Sequence, residues 1–186
     1  MATTGVVTFL ERYRAYLGLL ARLQIDPRLQ ARVDLSGVVQ HTLFEAHQAF
    51  REGDGHTPEQ KLAWLRKCLA NNLADELRKL HTEMRNVRRE RSLEAALVTS
   101  SNCLQAWVAD SLTSPSQQLI CEEEGVRLAA ALARLPEEQR DALVLQHWQG
   151  WKVAEIAEHL GRTRTAVAGL LKRGLARLRE ELKRDE

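Results

Sequence analysis

The chain has little that would support disulfides, membrane spans or strands. Its three cysteines, Cys68, Cys103 and Cys121, are odd in number and far apart. That argues against a disulfide framework and fits reduced thiols in a cytoplasm. The six histidines form no ligand spacing with them, so neither a metal nor a cofactor is expected. No apolar run is long enough to cross a bilayer. Met1-Ala-Thr-Thr-Gly-Val-Val lacks the basic start and apolar core of a secretion signal, so the expected location is cytoplasmic. Only four prolines and ten glycines interrupt the 186 residues, and no alternating apolar pattern marks a strand. Leucine, alanine, arginine and glutamate dominate, which predicts an all-α fold.

The net charge of +2 conceals segregation. Residues 61–92 carry nine Lys/Arg against four Asp/Glu, residues 93–126 carry five acids and no base, and residues 161–184 carry eight bases against two acids. Two basic blocks flanking an acidic spacer point to two separate polyanion contacts; solvated helix faces are the plain alternative.

Apolar residues Phe9, Leu10, Tyr13, Tyr16, Leu17 and Leu20 recur at helical spacing and predict a helix over 6–23. Asp26-Pro27 ends or kinks it. Ser36 is a candidate N-cap for a helix through Phe50, with Val39, Leu43, Ala46 and Phe50 facing inward. After the loop at 51–56, Thr57-Pro58-Glu59-Gln60 is a strong helix start: a threonine cap, a proline at the first position and a glutamine closing the box. Leu62, Leu65, Leu69, Leu73, Leu77 and Leu80 carry the stripe onward, and Asn71-Asn72 admit a local break. A linker is expected over 93–116, with a short helix near Leu104–Val108. It joins domains spanning 1–92 and 117–186.

In the second domain a helix from about 117 to 134 is followed by one opening at Pro136-Glu137-Glu138 and closing near Trp148. Gly150 then turns the chain. Val153-Ala-Glu-Ile-Ala-Glu-His-Leu-Gly-Arg-Thr-Arg-Thr-Ala-Val reads as a helix-turn-helix. Ala157 lets the helices approach, Gly161 makes the turn, Thr163 caps the second helix and Val167 plugs the core. On a helical wheel Val167, Leu170, Leu171, Leu175, Leu178 and Leu182 face inward, towards Ile156 and Leu160. Thr165, Gly169, Lys172, Arg173 and Ala176 face outward, with Ala168 beside them, and Arg164 stands at the helix start. Small residues between cations suit close approach to a duplex, with Lys172 and Arg173 reaching phosphates or guanine edges. Arg162, Arg177 and Arg179 are better placed for phosphates. The same cations would also complement a helix C-terminal dipole.

With these motifs in place, the chain resembles bacterial sigma factors of the sigma-70 family, in the extracytoplasmic-function group, over about residues 9–182. Leu132-Ala-Arg-Leu-Pro-Glu-Glu-Gln-Arg-Asp-Ala-Leu, with the helix-turn-helix that follows, looks like the region that binds the minus-35 element. Val38-Val-Gln-His-Thr-Leu-Phe-Glu-Ala-His looks like the polymerase-binding helix. Trp64-Leu-Arg-Lys-Cys-Leu-Ala-Asn-Asn looks like the part that opens and reads the minus-10 element.

The resemblance implies two helical domains, docking on the clamp and flap of core RNA polymerase, promoter DNA as ligand and an anti-sigma factor as a further partner. It places Gln40, Phe44, Glu45 and His47 at the polymerase. At minus-10 it places Trp64, Lys67, Asn71, Asn72, Arg78 and Lys79, with Arg66 and Arg85, Arg88, Arg89 and Arg91 extending the track. Asn71 matches the position that captures a flipped base, and an asparagine amide offers such a base a donor and an acceptor. It could equally cap its own backbone, and Trp64 could stack on DNA or fill core. Gly37 and His41 stand where the family commonly has acids. Ala168-Gly169-Leu170 replaces its frequent Lys-Ser-Arg.

Besides an adaptor that binds only protein, two other functions compete. One is an autonomous helix-turn-helix regulator, against which the basic block at 61–92 speaks. The other is a helical enzyme using Glu45, His47, His81 and Glu83, which no spacing supports; no covalent chemistry is expected.

Overall fold

A computed structural model describes residues 10–50, 57–80, 96–100 and 121–184. The regular elements among them are helical, and the chain divides into two compact units, Met1–Asn102 and Cys103–Glu186. The expected loop at 51–56, the short helix near Leu104–Val108, the basic track at Arg85–Arg91, and His81 and Glu83 lie outside the described residues.

In the first unit, α1 (Arg14–Leu23) buries Tyr16, Leu17 and Leu20. A 3-10 turn, Pro27–Arg32, follows it, with the Asp26 carboxylate accepting from Arg28 N at 2.9 Å. Helix α2 runs Leu35–Ala49. Its cap is Asp34 rather than Ser36: the Asp34 carboxylate accepts from Gly37 N at 2.9 Å. An aspartate two residues earlier satisfies the same orphan donors with a charged acceptor at the positive end of the helix. Val39, Leu43, Ala46 and Phe50 face inward as expected, joined by Val38 and Thr42.

Helix α3, Pro58–Leu80, starts at the Thr57 box. Gln60 N donates to Thr57 Oγ1 at 3.3 Å, and Thr57 N donates to Gln60 Oε1 at 2.9 Å. It runs unbroken through Asn71-Asn72, because the Asn72 amide bonds to the neighbouring helix instead of to its own backbone. Leu62, Leu65, Leu69 and Leu73 pack in the core of the unit. Residues 96–100, expected within the linker, form a helical turn. Leu97 is fully buried, and Gln24 Nε2 donates to Ser100 Oγ at 2.8 Å. The first unit therefore reaches past residue 92.

The second unit contains α4 (Cys121–Ala133), α5 (Glu137–His147), α6 (Val153–His159) and α7 (Arg164–Arg184). Gly150 and Gly161 have φ of +70° and +62°, a left-handed backbone that glycine adopts without strain. Thr163 caps α7, its hydroxyl accepting from Ala166 N at 3.2 Å. At the start of α6, Glu155 closes half of a capping box by accepting from Lys152 N at 2.7 Å. The other half is missing because a lysine side chain carries no acceptor. Leu128, Leu132, Leu143, Ile156 and Val167 form the core.

Candidate nucleic-acid interface

The outward side of α7 is built by its inward side. Val167, Leu170, Leu171, Leu178 and Leu182 are buried, and α7 packs on α4, α5 and α6. This turns Arg164, Thr165, Ala168, Lys172, Arg173 and Arg177 to solvent. Lys172 and Arg173 have no acidic partner among the described residues, so their charge is available to an external anion. Gly169 is half-buried beneath the Arg173 guanidinium: a Cβ there would stand 3.0 Å from Nη1. The small residue thus lets Arg173 lie along the helix.

Arg162 differs from the other cations. It sits in the tight turn and pairs with Glu138, at the start of α5, with Nη2 2.5 Å from Oε1. That hydrogen bond, and then the carboxylate charge, raise the Arg162 pKa. A phosphate contact by Arg162 would have to displace Glu138.

Sequence reasoning overlooked Gly174. It is buried in α7, where a Cβ would meet Leu143 Cδ1 at 3.1 Å and Gln139 Cβ at 3.4 Å. The missing side chain allows α7 to approach α5 closely. The signal was available: Gly174 lies seven residues after Val167 and four before Leu178, on the apolar face. Leu175, expected inward, is only half-buried.

In the first unit, Gln40, Phe44 and His47 are exposed on α2 at spacing i, i+4 and i+7, which puts them on one face. Phe44 is 54% exposed, and Gln40 Oε1 accepts from Arg14 Nη1 at 2.8 Å. Glu45, expected with them, turns towards α3. Its Oε2 accepts from Cys68 Sγ at 2.8 Å and from Asn72 Nδ2 at 2.7 Å. Partial burial pushes the Glu45 pKa up. The hydrogen bonds from Cys68 and Asn72 and the neighbouring His41, 3.8 Å away, outweigh it and leave the carboxyl below its ordinary range. Burial, then the bond to Glu45, push the Cys68 thiol up to about 12, so Cys68 stays protonated and unreactive near neutrality.

Along α3, Lys67, Asn71 and Arg78 are exposed and share a face. Asn72 does not join them. Its Nδ2 donates to Thr42 Oγ1 at 3.1 Å as well as to Glu45, so both amide hydrogens are spent within the fold and none remains for a base edge. Arg78 pairs with Asp75, and Lys79 Nζ lies 2.8 Å from Glu76 Oε2. Both pairs are surface contacts, which contribute little and yield readily. Trp64 is half-buried, edge-to-face against Phe50 with ring centroids 5.0 Å apart. Beside this face, a cavity of about 600 Å³ is lined by Asp34, His41, Asn72, Asp75, Glu76 and Lys79. Its three carboxylates make it unsuited to phosphate.

No helix among the described residues is long and apolar enough to cross a membrane. No cluster of three or more His, Cys, Asp or Glu suited to a metal occurs among them either.

Residues 125–178 match the family model described as "Sigma-70, region 4". Over 155 residues the chain is 31% identical to the ECF RNA polymerase sigma factor SigG of Mycobacterium tuberculosis, covering 78% of this chain and 41% of that one. Over 127 residues it is 30% identical to the probable RNA polymerase sigma factor RfaY of Xanthomonas campestris pv. campestris, covering 68% and 29%. A 55-residue stretch is 44% identical to the RNA polymerase sigma-E factor of Streptomyces antibioticus, covering 30% and 31%. Aligned segments thus span well under half the length of these relatives.

Proposed function

The chain belongs to the extracytoplasmic-function group of the sigma-70 family, and we propose that it is a promoter-specificity subunit acting in the cytoplasm with core RNA polymerase. The observation that carries this reading is the outward face of α7, where Arg164, Thr165, Ala168, Lys172 and Arg173 stand clear behind the Gly161 turn. Helix-turn-helix proteins enter the major groove with the first turns of their second helix. Arg164 and Thr165 at that end, with Ala168 and Gly169 offering no bulk, would read the minus-35 element. Lys172, Arg173 and Arg177 would hold its phosphates, and Arg162 would join once released from Glu138.

The first domain, about residues 1–100, would dock on the polymerase clamp through Gln40, Phe44 and His47. An exposed phenylalanine flanked by two polar side chains is the composition of an interface anchor. Lys67, Asn71, Arg78 and Lys79 would meet the minus-10 element, with Asn71 binding an unstacked base. The acidic linker would join this domain to a C-terminal one over about 117–186, which would also touch the polymerase flap. An anti-sigma factor is a further partner, competing for these same faces. The chain performs no covalent chemistry in this scheme.

Purified protein should yield promoter-dependent transcripts only when mixed with core polymerase. Specific operator binding and regulation without association with the polymerase would instead favour an autonomous regulator.

A further inference from the structure

We infer that Asn72 is a positioning residue: its hydrogen bonds to Thr42 and Glu45 lock the register of α3 on α2, and so set where Asn71 stands relative to the docking face of Gln40, Phe44 and His47. This rests on the functional reading above and adds a connection between its two surfaces.

Helices α2 and α3 pack on each other, and their buried side chains are otherwise largely aliphatic, among them Val39, Leu43, Ala46, Leu65, Leu69 and Leu73. Apolar attraction is non-directional, whereas a hydrogen bond needs its donor and acceptor about 2.7–3.2 Å apart and close to linear. Thr42 is completely buried and gives its hydroxyl proton to Val38 O at 2.9 Å. Its lone pairs are thereby left to accept from Asn72. Cys68 and Asn72, one turn apart on α3, both donate to Glu45 Oε2. Two donors on one carboxylate oxygen and a third contact on a buried hydroxyl define both the rotation and the height of α3. A polar residue that selects one register from an apolar interface is a known device in helical assemblies, and Asn72 is half-buried between α2 and α3. Asn71, the next residue back, is exposed, and its position is set by the same lock.

The experiment combines a structural and a functional measurement on the full chain. For the first, Gln48→Cys and Asp75→Cys carry spin labels, with Cys68→Ser, Cys103→Ser and Cys121→Ser as background; serine keeps the donor at position 68. The labelled pair should give one narrow interhelical distance. Adding Asn72→Leu should shift or broaden it by about 1.5–5.4 Å, between one residue's rise and one turn. For the second, unlabelled chains are assembled with core polymerase on duplex promoter. Asn72→Leu should bind polymerase within twofold of wild type yet open the promoter at least tenfold more slowly, as Asn71→Ala does. Glu45→Gln retains an acceptor oxygen and should open it within threefold of wild type. Should Asn72→Leu fail to fold, Glu45→Leu with Asn72→Leu replaces the polar pair by an apolar one and is read in the same way. An unchanged distance overturns the register lock whatever Asn71 does. A shifted distance with wild-type opening, while Asn71→Ala is slow, overturns the link to Asn71. Normal opening by Asn71→Ala overturns the base-binding role and that link together, while the distance still reports on the lock.

Discussion

Replacing Lys172 and Arg173 together with alanine tests the α7 interface most directly. Both side chains are exposed and have no acidic partner among the described residues, so their removal leaves no buried charge and opens no cavity. The effect should therefore appear in DNA binding and not in folding. If each cation neutralises one phosphate, the slope of log affinity against log salt falls by about 0.9 for each, or about 1.8 for the pair. If the affinities converge near 1 M salt, the double variant binds about 200-fold more weakly at 50 mM and about 20-fold more weakly at 200 mM. The gap between the two proteins thus shrinks by about 12-fold over a fourfold rise in salt. The assay is titration of polymerase assembled with wild-type or variant chain against labelled promoter duplex at several salt concentrations. Polymerase affinity should not change. Parallel salt plots for the two proteins would refute the phosphate contacts. Loss of polymerase binding along with DNA binding would instead mean that the substitutions disturb the fold.

Two further predictions test packing and titration. Gly174→Ala should lose stability or break even: about 1 kcal/mol of helix propensity is set against about 1–3 kcal/mol of overpacking on Leu143, which is fully buried. Gly18→Ala, with nothing within 4 Å of the added Cβ, should gain up to about 1 kcal/mol; denaturant melts showing equal gains at both sites would contradict the close α5–α7 approach. The Cys68 thiol is held above its ordinary 9.0, at about 12. The folded state thus keeps a proton that the unfolded chain releases. Its contribution is complete below about pH 9 and should fall by up to about 1.4 kcal/mol per pH unit between pH 9 and 12. Urea midpoints for wild type should decline more steeply across that range than those of Cys68→Ala; identical slopes would show that the thiol is not held protonated by the fold.

Much of the fold was legible because its signals act over three or four residues. The Thr57–Gln60 box, the Thr163 cap, the glycine turns at 150 and 161 and the inward face of α7 each depend on neighbours in sequence. Where two local signals competed, the reading slipped. Ser36 and Asp34 both suit a cap, and the aspartate brings a charged acceptor to the positive end of α2. The asparagine pair at 71–72 looks like a helix breaker by propensity, yet α3 is continuous because Asn72 finds partners 30 and 27 residues away. The candidate site was read with the same strengths and weaknesses. Exposure of Lys172 and Arg173 follows from helical periodicity, whereas Phe44 and Asn71 are singled out by the family resemblance alone. The inward turn of Glu45 and the pairing of Arg162 with Glu138 do not.

By itself the sequence determined an all-helical chain, the caps and turns that delimit its helices, and which face of α7 is apolar, since backbone hydrogen bonding and side-chain periodicity are settled within a turn or two. Tertiary structure alone decided the partners of the polar side chains. A carboxylate or amide can satisfy itself with water, a base or another helix, and the choice depends on which groups packing brings within about 3 Å. That is why Asn72 and Glu45 hold the two helices to each other while Asn71, one residue away, is left facing solvent.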